Sequence, residues 1–87
     1  MQIKVAKPSA EDIADMRTCP TWSKEESVFP WHYDEPETCY LLAGDVRVTT
    51  TEGQVVEFGA GDMVTFPAGV SCTWEVRKPV HKHFRFG

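Results

Sequence analysis

Eight short runs rich in β-branched and aromatic residues, IKV, TWSKEESVF, TCYLL, VRVTT, VVEF, MVTF, SCTWEV and HKHFRF, follow one another along this chain, with Gly and Pro punctuating it throughout. Such runs suit a pleated, half-buried surface, and the breakers between them read as turns. So many strands in 87 residues predict a sandwich or a barrel. Only PSAEDIADM reads as a helix. Ser9 and Asp12 have capping-box spacing, and Ile13 and Met16 fall on one face of about two turns. Thr51, Glu52 and Gly53 predict a tight hairpin between residues 45–50 and 54–58, with Gly53 supplying a positive φ. No repeat or linker interrupts the pattern, so one domain over residues 1–87 is expected.

Thirteen acidic and nine basic residues leave a net charge of −4. That balance disfavours unspecific attraction to nucleic acid or to an anionic membrane, so neither is expected as a partner. No apolar run approaches the roughly 20 residues of a membrane span, and MQIKVAKPSAED lacks an apolar signal core; a cytoplasmic protein is expected. Cys19, Cys39 and Cys72 are odd in number and form no CxxC or CxxH pair, which argues for reduced thiols and against a structural zinc knuckle.

Alternation along the strands assigns an inside. Glu37, Cys39 and Leu41 share one face, with Tyr40 and Leu42 opposite; Cys72, Trp74 and Val76 share another, with Thr73 and Glu75 opposite. A charged Glu37 facing inward needs a partner, because an unpaired buried carboxylate is costly.

Two stretches carry a family resemblance. In WHYDEPETCYLLAG, Glu37 is followed by six residues and Gly44; in GDMVTFPAGVSCTWEV, Gly61, Pro67 and Gly69 stand at the spacing of a second motif, with Cys72 and Val76 where a histidine and an asparagine belong. Together, over residues 31 to 76, they resemble the two motifs of the cupin superfamily. The resemblance implies an all-β cupin jelly-roll β-barrel, here with one short N-terminal helix. Within that superfamily the chain is similar to the small single-domain group related to (S)-ureidoglycine aminohydrolase and the ethanolamine-utilisation cupin.

The resemblance also implies a divalent transition metal held by three histidines and one glutamate, and this chain departs from that set. A three-residue gap before Glu37 puts Trp31 and Tyr33 in the first two histidine slots; a four-residue gap puts Pro30 and His32 there. The site is either rebuilt, with His32, Glu37 and Cys72 as candidate metal ligands, or lost, with Trp31 and Tyr33 filling its volume. In the second case Trp31, Tyr33, Glu37, Cys39, Cys72 and Trp74 are the candidate ligand pocket, with Trp22 at its mouth.

Other features are weighed against plainer roles. His81 and His83 share one face of the last strand, a solvated face on the plain reading, with His83 a candidate pocket wall. Cys39 and Cys72 have no assigned cation to lower their pKa and read as unreactive. Arg77, Lys78, Lys82 and Arg85 near the C-terminus oppose Asp34, Glu35 and Glu37, as solvated surface or as pairs within one molecule or across a homodimer.

Two functions follow from these readings. The first is a cupin that binds a small polar metabolite without the usual metal. The alternative is a metal-dependent enzyme acting on a small nitrogenous compound, with Glu37 as ligand or general base and Tyr33 as proton donor. A structural or subunit-contact role is the plain third.

Overall fold

Four of the eight expected strands join into two long ones. In the computed structural model, which describes residues 2–87, TCYLL and VRVTT form parts of one continuous strand, and SCTWEV and HKHFRF another. The elements are β1 (Lys4–Ala6), α1 (Ala10–Met16), β2 (Thr21–Lys24), β3 (Ser27–His32), β4 (Glu37–Thr50), β5 (Val55–Gly59), β6 (Met63–Phe66) and β7 (Ser71–Phe86). TWSKEESVF, expected as one strand, is broken at Glu25 and Glu26 into β2 and β3.

The capping box forms as its residues predict. Ser9 Oγ accepts from the Asp12 amide at 3.1 Å, and Asp12 Oδ2 accepts from the Ser9 amide at 3.0 Å, satisfying two amides at the start of α1. Met16 is buried and Ile13 half-buried, the one-sided pattern read from their spacing.

All strand pairs are antiparallel. β4 and β7 pair along nearly their whole length, from Glu37 opposite Phe86 to Thr50 opposite Cys72. β6 and β1 extend the sheet beside the first part of β4, while β5 pairs with its last part across the Thr51–Gly53 turn. On the other side, β3 pairs with the first part of β7 and β2 with its last part. The β4–β7 register shifts between Leu41 and Val46, and Gly44 there has φ +123°. Bulges of this kind bend a strand and raise its twist, so one sheet folds back on itself as a jelly roll.

Aromatic rings close the fold. Trp74 on β7 lies 5.9 Å from Phe29 on β3, 5.6 Å from Phe58 on β5 and 5.8 Å from Phe66 on β6, centroid to centroid. Tyr33, just past β3, stacks on Phe66 at 4.5 Å. These rings belong to strands that share no backbone ladder with one another apart from the β3–β7 pair, so side-chain packing joins the two halves.

The bend makes Gly44 irreplaceable in two ways. Its φ is unfavourable for a residue with a side chain, and a Cβ there would lie 2.7 Å from Val80 Cγ2 and 3.0 Å from Val80 Cα. Gly53 has φ +95° but open space around it. Gly44→Ala is therefore expected to cost about 2 kcal/mol or more, lowering the melting temperature by about 10 °C, whereas Gly53→Ala costs about 1 kcal/mol. Equal losses in thermal unfolding would show that Val80 yields to the new methyl.

Candidate functional site

The inward face of β7 continues through Val80 and Lys82 to Phe84, and Lys82 is only 5% exposed. Lys82 stands opposite Leu41 on β4 and opposite Trp22 on β2. Its side chain reaches the start of β4. Nζ donates to Glu37 Oε2 at 2.8 Å and to Cys39 Sγ at 3.1 Å, and the Cys39 thiol donates to the same Glu37 oxygen at 2.8 Å. Ammonium, carboxylate and thiol thus form a closed triangle. The ammonium also lies 5.1 Å from the Trp22 ring and 5.0 Å from the Trp74 ring, so two aromatic faces offset its loss of water.

This is the partner that an inward Glu37 requires. Both hydrogen bonds Glu37 accepts end on Oε2, and among the described residues none is made to Oε1.

The pair forms the polar part of a cavity of about 200 Å³. Trp22, Phe29, Trp31, Tyr33, Trp74, Phe84 and Phe86 line the rest. Clefts for drug-sized ligands run roughly 300–1,000 Å³, so this one suits a compound of a few heavy atoms. Trp31 and Phe86, about half exposed, stand at the rim. Tyr33 is buried, and its oxygen accepts from Trp74 Nε1 at 3.2 Å. Burial, with Glu37 and the two thiols adding, pushes the Tyr33 phenol far above its ordinary range, so it stays neutral and offers a proton rather than taking one. Burial likewise raises the Cys39 thiol to about 12 despite the Lys82 charge that opposes it, and the Cys72 thiol to about 11.

The structure brings together some of the expected residues and separates others. Trp31, Tyr33, Glu37 and Trp74 meet at the cavity. Cys39 touches the ion pair from below without lining the cavity, and Cys72 is turned to the Trp31 carbonyl, to which its thiol donates at 3.7 Å. Trp31 and Tyr33 both line the cavity, the side on which the resemblance with a three-residue gap expects histidines. His32 points outward, with Nδ1 2.7 Å from Ser71 Oγ and Nε2 3.4 Å from Asp34. His83 also leaves the expected pocket wall: its Nδ1 donates to the Cys19 carbonyl at 3.0 Å on the opposite face. Of the basic residues near the C-terminus, Lys82 meets Glu37 within one molecule, one of the pairings left open above, whereas Arg77 pairs with Asp45 and Glu57, and Arg85 with Asp15.

Lys82, read from the sequence as solvated surface or as one side of a pairing with the acids that include Glu37, lines the cavity, as do Phe29, Phe84 and Phe86, which the sequence reading did not single out. A signal was present. The alternation that sets His81 and His83 outward sets Lys82 inward with Val80 and Phe84.

The residues do not fit the metal that the resemblance implies. His32, Glu37 and Cys72, the three candidate ligands, do not converge, and an ammonium occupies the carboxylate that a cation would need. Among the described residues, no three His, Cys, Asp or Glu side chains group so as to hold an ion.

Residues 12–84 match the model of the EutQ-like cupin domain. A DUF861 family protein from Thermotoga maritima is 43% identical, with a TM-score of 0.95, over 99% of this chain and 100% of that one. A DUF1255 protein from Acidithiobacillus ferrooxidans is 25% identical, with a TM-score of 0.69, over 72% of this chain and 60% of that one. A putative ethanolamine utilization protein Q from Salmonella typhimurium is 24% identical, with a TM-score of 0.68, over 76% of this chain and 53% of that one. No curated protein matches. Among the described residues, no helix is long and apolar enough to cross a membrane.

Two outcomes are expected from the buried groups. Lys82→Met leaves a buried carboxylate without its cation and should cost about 3–5 kcal/mol, while the double replacement Glu37→Met, Lys82→Met recovers most of that loss. Denaturant titrations of the four proteins in this cycle check it. Cys39 and Cys72 hold their protons more tightly folded than unfolded, where the thiol value is 9.0. Their contribution to stability is therefore complete below pH 9 and falls as pH rises toward 11 and 12. Urea midpoints measured from pH 8 upward should fall more steeply for the native sequence than for a Cys39→Ala, Cys72→Ala variant.

Proposed function

The chain belongs to the EutQ-like cupin family, and we propose that its barrel binds a small polar organic ligand anchored on the Glu37–Lys82 pair rather than on a metal. One observation carries the reading: a buried, hydrogen-bonded ion pair forms the polar part of an otherwise aromatic cavity of about 200 Å³. Apolar walls with a few convergent polar groups are the usual make-up of a small-molecule site.

The chemistry of the anchor narrows the ligand. Lys82 has three N–H donors, two of them spent on Glu37 and Cys39, which leaves one to donate. Glu37 Oε1 accepts. The pair is neutral as a unit, so a lone anion meets the carboxylate and a lone cation meets the ammonium; a neutral or zwitterionic compound with a donor beside an acceptor suits it best. Its apolar part lies against Trp31, Phe29 and Trp74. No step in this reading needs a metal, and the metal-dependent alternative finds its one carboxylate already bound to Lys82.

The test is a panel of small amides, ureas and amino acids, followed by thermal shift and intrinsic tryptophan fluorescence. At least one compound is expected to stabilise the protein, with affinity reduced about tenfold or more in Glu37→Gln, since a lost hydrogen bond to a charged group costs about 1.5–3 kcal/mol. A panel in which nothing shifts either signal overturns the proposal. Elemental analysis of tag-free protein purified without chelator is expected to give zinc, iron, manganese and nickel each well below stoichiometry, in the native sequence and in Glu37→Gln alike. Near-stoichiometric metal that disappears in Glu37→Gln overturns the metal-free anchor.

A further inference from the structure

We infer that Lys82 is a nucleophile that captures a small aldehyde or ketone as a Schiff base inside the barrel, an inference that rests on the cavity being a ligand site. The observation behind it is a lysine side chain buried in an aromatic pocket, in contact with one carboxylate and lining a void of about 200 Å³, room for a small carbonyl compound. Lysines of this kind form Schiff bases when a neighbouring group takes the ammonium proton and the walls exclude water.

Each step has a residue to perform it. Glu37 Oε2, 2.8 Å from Nζ, takes one proton and leaves a neutral amine beside a neutral carboxyl. No net charge is created by that transfer, which suits a buried pair. The amine nitrogen then adds to the carbonyl carbon, and the carbonyl oxygen collects a proton from the nitrogen to give the carbinolamine. Glu37 returns its proton to the hydroxyl, the C–O bond breaks, and water leaves. The product is a protonated iminium on Lys82 facing an ionised Glu37. In sum, an ammonium and a carbonyl compound give an iminium and one water, with no oxidant or reductant consumed.

The surroundings favour that product. The iminium inherits the ammonium's place between Trp22 and Trp74, 5.1 Å and 5.0 Å from the nitrogen. A delocalised, weakly hydrated cation loses less on leaving water than a compact ammonium does, so the aromatic faces hold it at least as well. The carboxylate of Glu37 disfavours keto acids and leaves uncharged aldehydes and ketones as the ligand class.

Four other lysines provide an internal comparison. Lys4, Lys7 and Lys78 are exposed and Lys24 half-buried, and Lys7 pairs with Asp62 at the surface. The full chain is incubated with propanal or acetone and sodium cyanoborohydride, which fixes iminium ions as stable amines, and the sites are read by peptide mass spectrometry while tryptophan fluorescence follows entry into the cavity. Alkylation of Lys82 is expected to exceed that of each other lysine by about tenfold, and to lose this preference in denaturant. Glu37→Gln, checked for folding by circular dichroism, is expected to slow Lys82 alone by about a hundredfold, the usual size of a general acid–base contribution. Faster labelling of the surface lysines, together with a fluorescence change, overturns the covalent step and leaves the binding site standing. Absence of both Lys82 labelling and a fluorescence change overturns the inference, and with the metabolite panel silent the binding site falls too.

Discussion

The ladder between the two long strands is the constraint on which everything else depends. Because side chains alternate along a strand, the pairing that sets Glu37 opposite Phe86 and Leu41 opposite Lys82 decides at once that Glu37, Cys39, Leu41, Lys82 and Phe84 face the same interior. A slip of β7 by one residue would turn the ammonium outward, bury His81 and His83 in its place and leave the Glu37 carboxylate without its partner. The register is held where the strands bend, at Gly44, whose backbone tolerates the positive φ and whose missing side chain lets Val80 approach.

Within that frame, one charge pair replaces what the resemblance leads one to expect. A glutamate inside a barrel needs a positive partner, and a divalent cation is one way to supply it. Here the supply is covalent to the fold: Lys82 reaches Glu37 from the neighbouring strand, with Cys39 completing the triangle and Trp22 and Trp74 covering the charge. Trp31 and Tyr33, which one spacing of the resemblance sets in the slots of metal-binding histidines, then have a use. Tyr33 stacks on Phe66 and accepts from Trp74, filling one side of the core, while half-exposed Trp31 walls the opening. The two buried thiols stay protonated, and the Lys82 side chain touches both the carboxylate and the cavity.

Much of the local structure was legible because it rests on short-range rules. The capping box of Ser9 and Asp12, the Gly53 turn and the inward face of Cys72, Trp74 and Val76 each depend on neighbours within a few residues. Strand continuity was not, since it is settled by partners: TCYLL and VRVTT form one strand because β7 runs beside both, with the bulge taking up the break. Which charges pair was left open for the same reason. Arg85 sits far from Asp15 in the chain and beside it in the fold, and Lys82, flanked by two histidines, looks like surface until the strand's alternation is carried through from Val80.

The sequence by itself determined a β-rich sandwich or barrel, the positions of its turns, and an inward Glu37 in need of a partner, because periodicity, glycine placement and the cost of a buried carboxylate act residue by residue; the cupin kind was implied by the resemblance of its two motifs. Only the tertiary structure decided who that partner is. Lys82 lies 45 residues from Glu37, and a contact over that separation exists only once β4 and β7 are paired in register and the aromatic walls have closed around it.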